Sequence, residues 1–278
     1  MIKKVSIQGF EGSFHQLAAQ QYLGKNTQVI PCSTFSEVVK VAENEQLSDG
    51  GFMAIENSIA GSILPNYALL QKSQLTIGGE IYLKIDQHLM VNQGVMIEDI
   101  REVHSHPMAL LQCNDYLEKH PEWKLVESED TALSAKHIRQ YRNKYAAAIA
   151  GKAAAELYGL EILVPRIQTN KNNYTRFLYL QKDVDATEQK LVDKASVSFH
   201  TDHSRGALAK ILTQIASFNI NLSKLQSMPI PVKEWHYRFY VDMEFASLQN
   251  FHDALQTIEP LIYDLKIFGI YQKGKTVN

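Results

Sequence analysis

The N-terminal part of the chain alternates short apolar segments with amphipathic ones, and this pattern predicts strands separated by helices. The strands are expected at residues 5–8, 28–31 and 51–55. Ser13 and Thr34 stand where helix caps are expected, and Glu37 lies three residues after Thr34, as in a capping box. This alternation favours a mostly parallel sheet with helices on both faces.

A second series of strands and helices begins near residue 75. The strands are expected at residues 75–84, 87–92, 102–105, 124–126 and 146–149, and the helices at residues 107–118 and 130–140. Two such series predict an α/β unit of two lobes, with a cleft between them.

The polar stretch at residues 182–194 has few large apolar side chains and interrupts this pattern. The segments that follow it, at residues 196–200, 206–218, 221–227, 237–245, 249–258 and 263–271, predict the order β-α-β-β-α-β, which is ferredoxin-like. The expected division is a first domain at residues 1–182, with its second lobe at about 75–155, a linker at 183–195, and a C-terminal domain at 196–273.

Composition narrows the class of protein only moderately. Of the 278 residues 45% are hydrophobic and 21% are charged, and the formal net charge of −2 gives no electrostatic reason to expect nucleic acid or an anionic membrane as a partner. The two cysteines, Cys32 and Cys113, predict reduced thiols and not a disulfide scaffold. Because no long apolar segment or signal-peptide pattern is present, we expect a soluble cytoplasmic protein.

Four short polar motifs stand where predicted strands meet loops, the position at which α/β proteins bind ligands. They are GFEGSFHQLAA at residues 9–19, MAIENSIAGS at 53–62, SHPMALLQC at 105–113 and NNYTRF at 172–177. In this order they resemble the prephenate dehydratase family over roughly residues 3–272. The resemblance implies a two-lobed, periplasmic-binding-protein-like catalytic domain, whose first lobe is completed by residues 172–182, and a C-terminal ACT regulatory domain.

The resemblance also implies the reaction, which converts prephenate into phenylpyruvate, water and carbon dioxide in L-phenylalanine biosynthesis. Because the ring becomes aromatic, the reaction is strongly downhill, and we expect no cofactor. The site must hold a dicarboxylate in one orientation, donate a proton to the departing hydroxyl, and exclude water around the carboxylate that leaves.

The TRF motif supplies the first candidates for these tasks. By the resemblance Thr175 is catalytic, because its hydroxyl can donate to the departing oxygen without adding a negative charge beside the carboxylate. Arg176 could bind a substrate carboxylate or could join the two lobes through an acidic partner, and both interpretations stay open. Phe177, expected to bind substrate, would face the opposite side of the strand. Asn172 and Asn173 are expected to be turn residues.

The ENS motif supplies a second set of candidates. Glu56 is expected to be a catalytic acid, with helix capping or binding of backbone amides as the alternative. Asn57 and Ser58 are expected to donate to substrate carboxylate oxygens. Gln112 matches a family glutamine linked to activity, and we expect it to bind substrate or to support the cleft.

The turn that opens the first predicted helix suits an anion. Gly12, Ser13 and Phe14 are expected to bind substrate there, through backbone amides. Glu11 and His15 depart from the usual family pattern, and we interpret His15 as a surface or rim residue.

No metal site is expected. His104, His106 and Cys113 lack the paired spacing of a structural zinc site. His106 instead precedes a proline at the first position of a helix, and Asp130 is expected to cap the next helix.

The C-terminal motifs GALA, at residues 206–209, and NINL, at 219–222, resemble the phenylalanine site of ACT domains. The residues expected to bind phenylalanine are Gly206, Ala207, Leu208, Asn219, Asn221, Leu222 and Ser227. Where the family has ESRP this chain has QSMP at residues 226–229, so we expect weaker coupling. We also expect a homodimer or homotetramer, with phenylalanine bound between protomers and inhibiting the enzyme.

Two alternatives stay open. The preferred substrate could be arogenate, which carries an amine in place of the keto group of prephenate. The chain could also be a non-catalytic, two-lobed protein that senses an amino acid through its C-terminal module. The sequence does not distinguish prephenate from arogenate.

Overall fold

The computed structural model describes residues 2–182, 191–231 and 234–277. In chain order its strands are β1 (Lys4–Gln8), β2 (Gln28–Cys32), β3 (Gly51–Asn57), β4 (Gly61–Ser62), β5 (Thr76–Lys84), β6 (His88–Val91), β7 (Glu102–Ser105), β8 (Lys124–Glu127), β9 (Ala146–Ala150), β10 (Glu161–Val164), β11 (Tyr174–Gln181), β12 (Lys194–His200), β13 (Asn221–Pro229), β14 (Tyr237–Glu244), β15 (Tyr263–Tyr271) and β16 (Thr276–Val277). They form three sheets of seven, five and four strands.

Nine α-helices lie in the described part of the chain. They are α1 (Phe14–Leu23), α2 (Phe35–Ala42), α3 (Leu64–Lys72), α4 (Pro107–Gln112), α5 (Asn114–Leu117), α6 (Thr131–Gln140), α7 (Lys152–Tyr158), α8 (Ala207–Ser217) and α9 (Leu248–Ile258). None of these helices is long and apolar enough to cross a membrane.

Local sequence signals locate three helix starts. The predicted caps Ser13, Thr34 and Asp130 accept hydrogen bonds from the amides of Gln16, Glu37 and Leu133, at 3.4, 3.1 and 2.9 Å. Each such cap stabilises its helix by about 1 kcal/mol. Glu37 also accepts from the Ser33 amide at 2.8 Å, which completes a reciprocal arrangement of the capping-box kind.

The first sheet has the order β16-β5-β11-β3-β1-β2, with β4 paired to β3. Strands β1, β2 and β3 are parallel, as the alternation predicts. The expectation of a mostly parallel sheet is wrong for the other half, because β11 runs antiparallel to both β3 and β5. This strand enters the first sheet only after the chain has completed the second one.

The second sheet has the order β10-β6-β9-β7-β8. The chain therefore crosses between the two sheets twice, once after β5 and once before β11. The helix expected at residues 107–118 is divided into α4 and α5 at Cys113. There the Gln112 carbonyl oxygen accepts from the Thr169 amide of the returning segment, at 2.8 Å.

The third sheet is antiparallel, with the order β13-β14-β12-β15, and its elements follow the predicted sequence β-α-β-β-α-β. Its core includes residues from α8 and α9. Tyr240 and Phe268 of this sheet share a second core with Met53 and Ile77 of the first sheet. The last strand, β16, pairs with β5 of the first sheet. Residues 183–190 of the expected linker lie outside the described residues, and its last two residues already belong to β12.

Candidate active site

A cleft of about 480 Å³ is lined by strands of the first sheet on one side and, on the other, by residues of α4 and α6, which pack against β9 of the second sheet. Apolar side chains that line it include Phe14, Phe35, Ile85 and Phe177. The polar and titratable lining residues are Gln8, Ser13, His15, Asn57, Ser62, His106, Gln112, Glu129, Asp130, Thr131 and Thr175. Among the described lining residues there is no lysine or arginine. The volume suits a small organic ligand, since most ligand pockets occupy about 300–1,000 Å³.

Thr175 and Phe177 both line the cleft from β11, because alternate residues of a strand share one face. Thr175 Oγ1 accepts a hydrogen bond from Asn57 Nδ2 at 3.0 Å. Within the described residues, the Thr175 hydroxyl donates no hydrogen bond of its own. The hydroxyl hydrogen is therefore available to a ligand.

Asn57 is held in one orientation by the residues that follow it. Its Oδ1 accepts from the amides of Ile59 and Ala60, at 3.0 and 2.9 Å. Its Nδ2 consequently faces β11, where it donates to Asn173 Oδ1 at 2.7 Å as well as to Thr175.

Asn173, expected to be a turn residue, is fully buried and connects the two sides of the cleft. Its Nδ2 donates to Gln112 Oε1 at 3.0 Å, and Gln112 lines the cleft from α4. The sequence could have indicated that Asn173 faces the cleft. In an extended strand that includes residue 173, residues 173, 175 and 177 lie on the same face.

Arg176 does not reach the cleft, so the expectation that it binds substrate is corrected. Its side chain is 4% exposed and contacts the third sheet. Its Nε donates to Glu80 Oε2 at 2.6 Å, its Nη2 to Tyr271 Oη at 3.0 Å, and its Nη1 to Asp242. The open alternative is right about the acidic partners but wrong about the lobes, because Asp242 and Tyr271 belong to the third sheet. Arg176 links the first sheet to the third.

The carboxylates around Arg176 decide how this buried cluster is charged. Burial alone would lower the pKa of Arg176, but Asp242, Tyr271 and Glu80 outweigh it and raise that pKa well above its ordinary value. Burial alone would raise the pKa of Asp242, but Arg176 and Lys194 hold it below its ordinary value. Lys194 Nζ also donates to Glu80 Oε1 at 2.9 Å, so two cations balance two carboxylates.

Glu56 also faces the third sheet, and its expected role as a catalytic acid in the cleft is corrected. It is the register partner of Arg176, and it accepts from Lys224 Nζ of β13. Lys224 donates in addition to Ser62 Oγ at 2.6 Å, and Ser62 Oγ donates to Gln226 Oε1 at 2.9 Å. Because Ser62 lines the cleft, strand β13 is in direct contact with the cleft wall.

The loop at residues 12–14 is divided between two roles. Ser13 and Phe14 line the cleft, but Gly12 does not. The Gly12 amide donates to Gln16 Oε1 at 2.6 Å and the Ser13 amide to the Phe10 carbonyl at 3.1 Å, so neither is available to an anion, contrary to the prediction. Gly12 has φ +87°, and an added Cβ would lie 3.1 Å from Ala154 Cα, which accounts for glycine at this position.

Three other candidate residues support the backbone. Ser58 is outside the cleft, where its Oγ donates to the Asn172 carbonyl at 3.2 Å and accepts from the Tyr174 amide at 2.9 Å. His106 and Asp130 line the cleft as the caps of α4 and α6. Burial lowers the pKa of His106 and raises that of Asp130.

His15 is buried in the cleft wall, contrary to the expectation of a surface residue. Its ring lies 4.9 Å from that of Phe177, edge to face, and its Nε2 accepts from the Ala54 amide at 3.4 Å. Burial lowers the pKa of His15 to about 3, so the imidazole is neutral at physiological pH. Since Nε2 is an acceptor, the ring proton lies on Nδ1.

This neutral histidine predicts acid sensitivity. The unfolded chain binds a proton at His15 near pH 6.5 and the folded chain only near pH 3, so stability falls as pH drops through that window. Between pH 7.5 and pH 4.5 the loss from this residue should be about 2–3 kcal/mol. His15→Gln should remove that part of the decrease in melting temperature, whereas His252→Gln, at an exposed histidine, should not. Equal decreases in the two variants would contradict the assignment.

The residues expected to bind phenylalanine lie at both ends of α8. Gly206 precedes the helix with φ +79°, and Ala207 and Leu208 line a second cavity of about 140 Å³. Asn219, Asn221 and Leu222 follow the other end of this 11-residue helix, about 16 Å away at 1.5 Å per residue. Ser227 lies farther along β13, opposite Phe239 of the second cavity. One ligand within a single protomer cannot contact both ends.

The fold and the cleft define the class of protein as a mixed α/β protein with a cleft whose size suits a small organic molecule. The model of the family described as prephenate dehydratase matches residues 5–185, and the chain belongs to this family. A bifunctional chorismate mutase/prephenate dehydratase of Buchnera aphidicola is 33% identical over 97% of this chain and 71% of that protein. Arogenate dehydratase 2 of Petunia hybrida is 37% identical over 96% of this chain and 71% of that protein.

Solved structures agree with this assignment of the fold. A structure described as GqqA, a novel type of quorum quenching acylase, has a TM-score of 0.87 at 26% identity and covers 98% of each chain. Prephenate dehydratase from Arthrobacter aurescens in complex with L-Phe has a TM-score of 0.86 at 27% identity, over 97% of this chain and 90% of that chain. The mixed α/β fold is therefore that of prephenate dehydratase structures.

Proposed function

We propose that this enzyme converts prephenate into phenylpyruvate, water and carbon dioxide in L-phenylalanine biosynthesis, as its family implies. The observation that carries the proposal is the Thr175 hydroxyl, which lies in the cleft and accepts from Asn57 while its own hydrogen is free for a ligand. The departing ring hydroxyl of prephenate is the acceptor that this hydrogen suits.

The remaining lining supports the other two tasks. Gln112 and Ser13 offer neutral polar groups to the carboxylates of the substrate, whereas the hydrogens of Asn57 Nδ2 are used within the protein. Phe14 and Phe177 exclude water from the ring and from the carboxylate that leaves. The absence of a cation from the described lining favours loss of that carboxylate, because a bound arginine would stabilise the charge that must disappear.

A second candidate, arogenate dehydration, is favoured by the identity to the Petunia protein. Initial rates with prephenate and arogenate at equal concentrations test the choice. We expect the higher kcat/KM with prephenate, because the Gln112 amide and the Ser13 hydroxyl are donors that suit its keto oxygen and carboxylates. A higher kcat/KM with arogenate would assign the enzyme to the second activity, and no turnover of either would refute both. The last outcome is the one expected of a non-catalytic binding protein.

For the domains we propose a two-lobed, periplasmic-binding-protein-like catalytic domain at residues 1–182, a linker at 183–193 and an ACT domain at 194–273, because β12 of the third sheet begins at Lys194. The separate third sheet, with its β-α-β-β-α-β order, supports an ACT domain. Free, buried Cys32 and Cys113 suit the reducing cytoplasm that we propose as the location.

For regulation, the proposal is feedback inhibition by L-phenylalanine, which the Arthrobacter structure contains. If two protomers associate with their α8 helices antiparallel, the start of one helix lies beside the end of the other, and residues 206–208 and 219–222 could contact one ligand. A homodimer or homotetramer would therefore complete the site. Gln226, which replaces the glutamate of the family pattern, keeps an acceptor for Ser62 in the cleft wall.

The contact between Gln226 and Ser62 predicts that one substitution can weaken inhibition by phenylalanine without preventing phenylalanine from binding. Gln226→Ala should still bind phenylalanine but be inhibited several-fold less, because β13 loses a contact with the cleft wall. Gln249→Ala, at an exposed glutamine of α9, is the matched control. Calorimetric titration with phenylalanine, together with rates at each concentration, measures both properties. If the unmodified enzyme binds phenylalanine but is not inhibited, feedback inhibition is refuted. If it does not bind phenylalanine at all, the proposed binding site is refuted as well.

A further inference from the structure

We propose that Asn173 is a positioning residue that fixes, through Asn57, the direction in which Thr175 donates its hydroxyl hydrogen. The inference rests on the proposed function, in which that hydrogen goes to the departing hydroxyl of the substrate. Asn173 thereby receives a functional role, whereas the sequence pattern predicts only a turn residue at this position.

The direction of the Thr175 hydroxyl follows from the orientation of Asn57. Two backbone amides, of Ile59 and Ala60, hold the side-chain oxygen of Asn57, so its amide group cannot reverse without losing both bonds. Asn57 therefore presents a donor to Thr175 Oγ1 and no acceptor. A threonine hydroxyl that receives this hydrogen bond keeps its own hydrogen for another acceptor.

Asn173 keeps Asn57 in place from the other side. Its Oδ1 accepts from Asn57 Nδ2 at 2.7 Å, the shortest of the three contacts of that nitrogen, the others being Thr175 Oγ1 at 3.0 Å and the Tyr174 carbonyl at 3.2 Å. The position of Asn173 is itself determined, since its main-chain oxygen accepts from the Ile85 amide at 2.8 Å and its Nδ2 donates to Gln112 Oε1 at 3.0 Å. Because Asn173 is fully buried, water does not replace these bonds.

The chain of side chains crosses between the two sheets of the catalytic unit. Gln112 belongs to α4, beside the second sheet, whereas Asn57 and Thr175 belong to strands β3 and β11 of the first. Asn173 lies just before β11, in the segment that returns to the first sheet. The orientation of Asn57, and through it the donor direction of Thr175, thus depends on a residue that contacts both the first sheet and α4.

Two substitutions of Asn173 separate positioning from packing. Asn173→Leu has a similar size but offers neither bond, so kcat with prephenate should fall about 10- to 100-fold while KM stays within threefold. Asn173→Asp keeps the acceptor for Asn57, and Gln112 can rotate its amide to donate, so kcat should fall clearly less than in Asn173→Leu, although a buried charge is added. Asn172→Ala, at the exposed neighbouring asparagine, should leave both constants unchanged.

A polarity change at Asn57 gives an independent test should Asn173→Leu fail to fold. Asn57→Asp keeps the acceptor for Ile59 and Ala60 but turns the donor toward Thr175 into an acceptor. The Thr175 hydrogen would then bind Asp, and kcat should fall at least tenfold.

The outcomes separate the two proposals. Unmodified enzyme without turnover would refute the proposed function. Unmodified enzyme with turnover, but with an unchanged kcat in Asn173→Leu or Asn57→Asp, would refute only the positioning role. Equal losses in Asn173→Leu and Asn173→Asp, or a loss confined to KM, would refute it as well.

Discussion

Thr175→Ala is expected to lower kcat by about 10²–10⁴-fold, the range found when a single proton donor or a donor to a developing charge is removed. In the structure the Thr175 hydroxyl lies in the cleft, while its interaction with Asn57 uses only its acceptor capacity. Because the loss affects an interaction made in the transition state, KM should change little.

Two further variants at this position sharpen the test. Thr175→Ser keeps the hydroxyl and should retain part of the rate, whereas Thr175→Val keeps the shape and should be as slow as Thr175→Ala. The melting temperature of each variant shows whether the fold is intact. Near-normal turnover in Thr175→Ala, or a Val variant as fast as Ser, would remove Thr175 from the mechanism.

The second large effect is on stability. Arg176→Met is expected to reduce the free energy of unfolding by about 3–5 kcal/mol, because it leaves buried carboxylates with one cation too few. Asp242 is the partner that this loss affects most. Burial alone would raise its pKa, and Arg176 is the main cation that keeps that pKa below the ordinary value. Urea unfolding, followed separately by tyrosine and tryptophan fluorescence and by circular dichroism, measures the change.

A double variant distinguishes lost charge balance from lost packing. Arg176→Met/Asp242→Leu removes one charge of each sign and leaves Lys194 paired with Glu80, so it should regain much of the stability. Arg139→Met, at an exposed arginine of α6, should change stability by less than about 0.5 kcal/mol. A double variant no more stable than Arg176→Met would show that packing, and not charge, dominates this cluster.

Much of the fold could be predicted because its signals are local. Ser13, Thr34 and Asp130 cap their helices through bonds to amides three residues away, and such bonds depend on only a few neighbours in sequence. The C-terminal element order follows for the same reason, since each strand and helix carries its own periodicity. Helix α3, at residues 64–72, was not predicted, because its apolar residues do not repeat at a clear helical spacing.

The candidate site was only partly predictable, because the partners of its residues come from distant segments. Alternation along β11 predicts that Arg176 and Phe177 face opposite sides, but it does not say which side is the cleft. Glu56 and Arg176 face the third sheet because β3 and β11 pair in a register that no local signal determines. Asn57 and Asn173 are 116 residues apart, so their hydrogen bond also depends on that register.

The proposed activity is tested most directly by the turnover of prephenate by the unmodified enzyme, with phenylpyruvate and carbon dioxide measured in the same reaction. A prephenate dehydratase should form equal amounts of the two products, at a rate proportional to enzyme concentration and saturable in prephenate. Formation of phenylpyruvate no faster than the spontaneous conversion of prephenate in the same buffer would contradict the proposed activity.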